Sequence, residues 1–87
     1  MYAVVAMVDI TDGEAATTAL SEQVVPMVKQ APGFVGGYWV RLDEGHGMSV
    51  VVFETEEQAR VGAPEAGARS PGVTFTSVTF GEVVGHA

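Results

Sequence analysis

Two short runs of this chain are apolar at every consecutive position, and they restrict the fold more than any other feature. Val4-Val5-Ala6-Met7-Val8 and Val50-Val51-Val52-Phe53 contain no polar residue. Successive side chains on a strand point to opposite faces of a sheet, so a strand that is apolar throughout needs cover on both faces. Their brevity and high Val content suit strands better than helices. The fold must therefore place material on both sides of the sheet that holds these two runs.

The intervening segments supply part of that cover. Tyr2 to Ile10 reads as the first strand, with Asp9 its only charge, and Thr11-Asp12-Gly13 ends it. Asp12 or Thr11 can cap a helix expected over Glu14 to Gln30, where Ala16, Leu20, Val24, Met27, Val28 and Ala31 recur at spacings of three and four. Pro26 lies inside that helix, lacks an N–H and crowds the carbonyl of Glu22, so a kink is expected. Pro32-Gly33 suits a type II turn. A second strand then runs from Phe34 to Leu42, where Gly36-Gly37 suggests a bulge or a close approach by another backbone or a ligand. The polar turn Asp43-Glu44-Gly45-His46-Gly47 leads to a third strand from Met48 to Glu54, making a hairpin. Thr55-Glu56-Glu57-Gln58 has the form of a capping box and starts a second helix, ending near Val61 or continuing to Ala68. After Ser70-Pro71-Gly72, a last strand spans Val73 to Val84, with Gly81 a candidate bulge.

Strand, helix, strand, strand, helix, strand is the order of a ferredoxin-like βαββαβ unit. The expected class is α+β: one domain over residues 1–87, a four-stranded antiparallel sheet and two helices on one face. Two helices cover only one face. A chain of 87 residues buries roughly 63% of its unfolded surface, a small margin for a monomer. A second copy of the sheet is the simplest cover for the other face, so a homodimer is expected.

Charge narrows the partners. Four basic against 11 acidic residues give a net charge of −7, which argues against nucleic acid and against an anionic membrane surface. There is no Cys, hence no thiol chemistry. The apolar N-terminal run is too short to span a bilayer and has no basic flank, so a cytoplasmic location is expected. No cofactor or metal is expected either. His46 and His86 are far apart with no third ligand at coordinating spacing. Asp9 to Glu14 imitates a calcium loop, but its glycine comes one position early and Leu20 stands where a bidentate Glu belongs. Gly36-Gly37 opens no helix and is not a phosphate loop.

The residues suited to a ligand lie on the second strand. Trp39, the only Trp, and Arg41 are two apart and share a face, where an aromatic plate beside a cation can hold a planar anion. Tyr38 is a third candidate, pointing to the opposite face. The competing reading makes Trp39 an interface anchor and Arg41 a solvated strand-end charge. Asp9 would serve as a general base if buried, against the commoner reading of an exposed strand-end charge. No residue is assigned a catalytic role.

Pro32-Gly33-Phe34-Val35-Gly36-Gly37-Tyr38, followed by a hairpin, Val50-Val51-Val52-Phe53-Glu54 and Thr55-Glu56-Glu57-Gln58-Ala59, resembles the antibiotic biosynthesis monooxygenase family, over most of the chain. The resemblance implies a protomer whose sheet packs on its twin as a dimeric α+β barrel, with a pocket between sheet and helices. It also implies a cofactor-independent monooxygenase acting on, or a protein binding, an aromatic phenolic molecule. The haem-degrading branch fits poorly: Ala6 stands where that branch has an Asn, Trp39 is on a different strand, and the second helix has no His. A non-catalytic dimeric module that binds a small ligand, or serves only structure and interaction, is the alternative.

Overall fold

The Val-rich first strand, β1 (Tyr2–Ile10), lies in the middle of the sheet. A computed structural model, describing residues 1–87, pairs it antiparallel with the third strand and with the last long strand. In chain order the others are β2 (Phe34–Arg41), β3 (His46–Phe53), β4 (Arg69–Ser70) and β5 (Val73–Glu82). The sheet order is β2-β3-β1-β5-β4, and every neighbouring pair is antiparallel. The class is α+β, roughly consistent with a ferredoxin-like unit. The expected count of four strands is corrected to five. Ser70-Pro71-Gly72 is the tip of a small hairpin, so Arg69 and Ser70 pair with Thr74 and Val73 and add a short edge strand.

The first helical rod has three parts. α1 (Gly13–Ala19) is capped by the Asp12 carboxylate, which accepts the Ala15 N–H at 3.1 Å. A π turn comes next over Leu20–Val24, and α2 (Val25–Lys29) completes the rod. The proline disturbance takes the form of this wider turn. The Val25 N–H reaches back five residues to the Leu20 carbonyl, and Pro26, which has no N–H, falls at the start of the next segment. The π turn also rotates α2 about the rod axis. Val28 and Ala31 pack toward the core, whereas Met27, expected on the apolar stripe, is 68% exposed.

α3 (Glu56–Gly62) ends close to Val61, and Thr55 caps it by accepting the Gln58 N–H at 3.2 Å. The reciprocal half of the expected capping box does not form. The Gln58 carboxamide instead packs over Gly33, with its buried oxygen unpartnered. Gly33 has φ +77° and no room for a Cβ beneath that amide, two separate reasons for glycine.

Val4, Val51, Phe53 and Ala59 form the buried core, flanked by Val28, Ala31 and Phe80. Phe34 meets Phe53 edge to face at 6.4 Å. Both helical units thus sit on the face that carries Val4, Val51 and Phe53. The opposite face carries Val5, Met7, Met48, Val50 and Val52, all half-buried, with Tyr38 and Val40 exposed. No element of the chain covers it. The bulges also differ in part from expectation. Val35 is squeezed out ahead of Gly36, near the expected site, but β5 bulges at Thr76 and not at Gly81. No helix is long and apolar enough to cross a membrane.

Candidate functional site

Strand alternation decides which side chains of β2 meet the helices. Trp39 pairs with Ser49 and Arg41 with Gly47, and Ser49, Gly47 and Ala6 all lie on the helix-facing side. Here the sheet surface is made of small residues. The rod above it is also small, with Ala16 and Ala19 turned inward. Small residues on both layers leave a cavity of about 140 Å³ between them. Val8, Leu20, Val24, Trp39 and Phe75 stand on its apolar wall, and Thr17, Arg41, Ser49 and Ser70 are its polar residues.

Trp39 is positioned by glycine. Its six-membered ring lies back over Gly37, where a Cβ would come within 3.2 Å of the indole. The close approach at Gly37 is thus made by the chain's own tryptophan, not by the second backbone or ligand that the Gly36-Gly37 pair suggested. Arg41 reaches across the end of the cavity to α1, and its Nη2 donates to the Gly13 carbonyl at 3.3 Å. That is its one side-chain hydrogen bond. The ion pairs of the structure join His46 to Asp9 and Asp43, and Arg60 to Glu56; none involves Arg41. A guanidinium has five donors, so most of its capacity remains for something else. It also lies at the positive end of the α1 dipole, where a second positive charge gains nothing from the helix.

Ser49 is the polar group that the sequence did not single out. It is 8% exposed, borders the cavity, and its hydroxyl makes no hydrogen bond within the chain. The only signal was a polar residue interrupting Met48-Ser49-Val50 on an otherwise apolar strand.

The structure therefore brings Trp39 and Arg41 together and leaves Tyr38 out. Tyr38 is on the far face of the sheet, 76% exposed, because one residue along a strand reverses the direction of the side chain. Of the two faces of the strand, the cavity takes that of Trp39 and Arg41, so Tyr38 does not border it. Asp9 is exposed and also faces away from the cavity; it lies 3.8 Å from the His46 Nε2. His46 Nδ1 is 2.8 Å from the Asp43 carboxylate. That hydrogen bond, then the Asp43 charge and more weakly Asp9, raise the His46 pKa above its ordinary 6.5. The same hydrogen bond, helped by the Gly45 N–H, lowers Asp43 below its ordinary 3.8. This cluster fixes the hairpin tip and is separate from the cavity. His86 lies in the exposed C-terminal tail. No three His, Asp or Glu side chains converge as a metal-binding group.

Compared with family models, curated proteins and solved structures, the chain finds no match.

Proposed function

We propose that this protein binds an aromatic, phenol-like anion in the cavity between the first helical rod and the sheet, and that it does so as a homodimer. The observation that carries the reading is the placement of Trp39 beside Arg41, a guanidinium without an ion pair, at the wall of a mostly apolar cavity. Apolar walls with a few convergent polar groups are the usual make-up of a ligand site. The indole offers a face for stacking, and the guanidinium offers charged donors to an anionic oxygen. The resemblance to the antibiotic biosynthesis monooxygenases points in the same direction. It adds an oxygenation step, in which an electron-rich phenolate itself reduces O₂. The ionisable group on the cavity wall is a cation, so the site is equipped to hold an anion already formed; binding is therefore placed first and turnover second.

The dimer rests on a different observation. The protomer exposes 5585 Å². That is about 700 Å² more than a compact monomer of this mass exposes. One partner's share of a standard interface is about 800 Å². The bare sheet face of Val5, Met7, Met48, Val50 and Val52 is where such an area would be covered.

Trp39 is the only Trp, so its emission reports the site directly. Titration with simple phenols and aromatic acids is expected to change that emission saturably, and oxygen uptake with the ligands that bind separates turnover from binding. If no aromatic anion alters the emission, the proposed function is wrong.

A further inference from the structure

We infer that the ligand is a single-ring aromatic carboxylate or phenolate with a second polar substituent, read by Ser49; the inference rests on the binding function proposed above. Size comes first. Drug-sized and polycyclic ligands occupy pockets of about 300 to 1,000 Å³. The cavity here is about 140 Å³. An apolar cavity of about 150 Å³ accepts benzene. One six-membered ring therefore fills the space beside Trp39, Leu20 and Phe75, and a fused polycycle exceeds it. This narrows the aromatic phenolic molecule that the family resemblance implies to one ring.

Polarity comes second. Of the polar groups on the wall, Arg41 and Ser49 are not side by side. Arg41 pairs with Gly47 and Ser49 with Trp39, so Arg41 and Ser49 are diagonal neighbours on adjacent strands. Such positions are about 7 to 8 Å apart at the backbone. Arg41 lies at the rim, exposed, and Ser49 is buried on the sheet side. A ligand that satisfies both carries its charge at one end and a hydrogen-bonding group at the other, with the ring between. A benzoate bearing a hydroxyl has that form. The Ser49 hydroxyl can donate or accept, and it has no partner within the chain to give up. Ser49 is thus a specificity residue.

Calorimetric titration of the full chain with benzoate, 4-hydroxybenzoate, 4-methylbenzoate, benzyl alcohol and 2-naphthoate tests this. We expect 4-hydroxybenzoate to bind about tenfold more tightly than 4-methylbenzoate, one hydrogen bond's worth of discrimination. Ser49→Ala is expected to remove that advantage, bringing 4-hydroxybenzoate and 4-methylbenzoate to equal affinity. Benzyl alcohol, without the charge, and 2-naphthoate, with the extra ring, are each expected to bind at least about tenfold more weakly than benzoate. If 2-naphthoate binds as well as benzoate, the one-ring limit is overturned and the proposed anion site still stands. If 4-methyl and 4-hydroxybenzoate bind wild-type protein equally, the role of Ser49 is overturned, whether or not the Ser49→Ala variant folds. If no acid in the series binds, the inference falls together with the function it rests on.

Discussion

At the scale of single residues, Arg41 decides whether the cavity is a site for an anion or a packing defect. Its side chain is exposed and makes one hydrogen bond, to the Gly13 carbonyl. Exposed groups of this kind contribute little to stability. Arg41→Gln is therefore expected to shift the thermal midpoint by less than about 2 °C, because surface substitutions usually stay within about 0.5 kcal/mol. The same change should weaken benzoate binding by about 10- to 100-fold, the range for losing a charged hydrogen bond. A large fall in melting temperature with unchanged binding would assign Arg41 to the fold instead. The hairpin tip offers a second prediction. His46 is raised by its hydrogen bond to Asp43, so its contribution is complete below its unfolded pKa and is lost as pH rises through its folded value. Asp43 is lowered, so its contribution is present above its unfolded pKa and is lost as pH falls through its folded value. The pair therefore holds the turn fully between about pH 4 and 6.5 and relaxes below the first and above the second. An NMR titration should find His46 above 6.5, and Asp43→Asn should bring it down; an unchanged midpoint in that variant would contradict the pairing. At this scale much of the site was readable in the sequence. Trp39 and Arg41 share a face by their spacing alone, and the same rule sends Tyr38 to the other side. Ser49 was not readable. One hydroxyl in a Val-rich strand looks ordinary until the small residues of the helix above it prove to leave a cavity beside it.

At the scale of elements, the clearest constraint is where the β4–β5 hairpin meets the start of α1. The Gly72 carbonyl accepts from the Thr11 and Asp12 N–H groups at 2.8 and 3.2 Å, and Pro71 beside it borders the cavity. Gly72 has φ +79°, and a Cβ there would run into the Asp12 carbonyl and the Ala16 backbone. Gly72→Ala should cost about 1 to 3 kcal/mol in urea unfolding, the range for forcing a side chain into that conformation. Gly81→Ala is the control: its Cβ would meet open space and its φ is unexceptional, so little change is expected. Equal effects of the two would show that the contact at Gly72 does not matter. The elements also show where pattern reading stops. Pro26 signals that the helix is disturbed, but not that the disturbance is a π turn one step upstream, because several local geometries remove the same hydrogen bond. β4 was missed because a two-residue strand has no alternation to read; only its pairing with Thr74 and Val73 defines it.

At the scale of the whole molecule, the sheet has one dressed face and one bare face. That asymmetry was already implied by Val4 to Val8 and Val50 to Phe53, which are apolar at every position while the helices can cover only one side. Only eight of the 87 residues are buried in the protomer, too few for the apolar content of these strands. A charge at the centre of the bare face should therefore separate the proposed dimer. Val50→Asp is expected to give a monomer by light scattering while the wild type is a dimer at micromolar concentration; a wild-type monomer would contradict the paired-sheet reading. The ligand cavity lies on the opposite side of the sheet from Val50, so a folded monomeric variant should keep its affinity for benzoate within about threefold, since distant sites act nearly independently.

The central claim is that an aromatic anion enters between helix and sheet, and methyl-resolved NMR with 4-hydroxybenzoate tests it most directly. Saturable shifts are expected in the methyl groups of Val8, Leu20 and Val24 and in the Trp39 indole N–H, with Val50 and Val52 unmoved. Shifts confined to Val50 and Val52 would place the ligand on the bare sheet face. No shifts at millimolar ligand would leave the cavity without the occupant proposed for it. Either result would contradict the account.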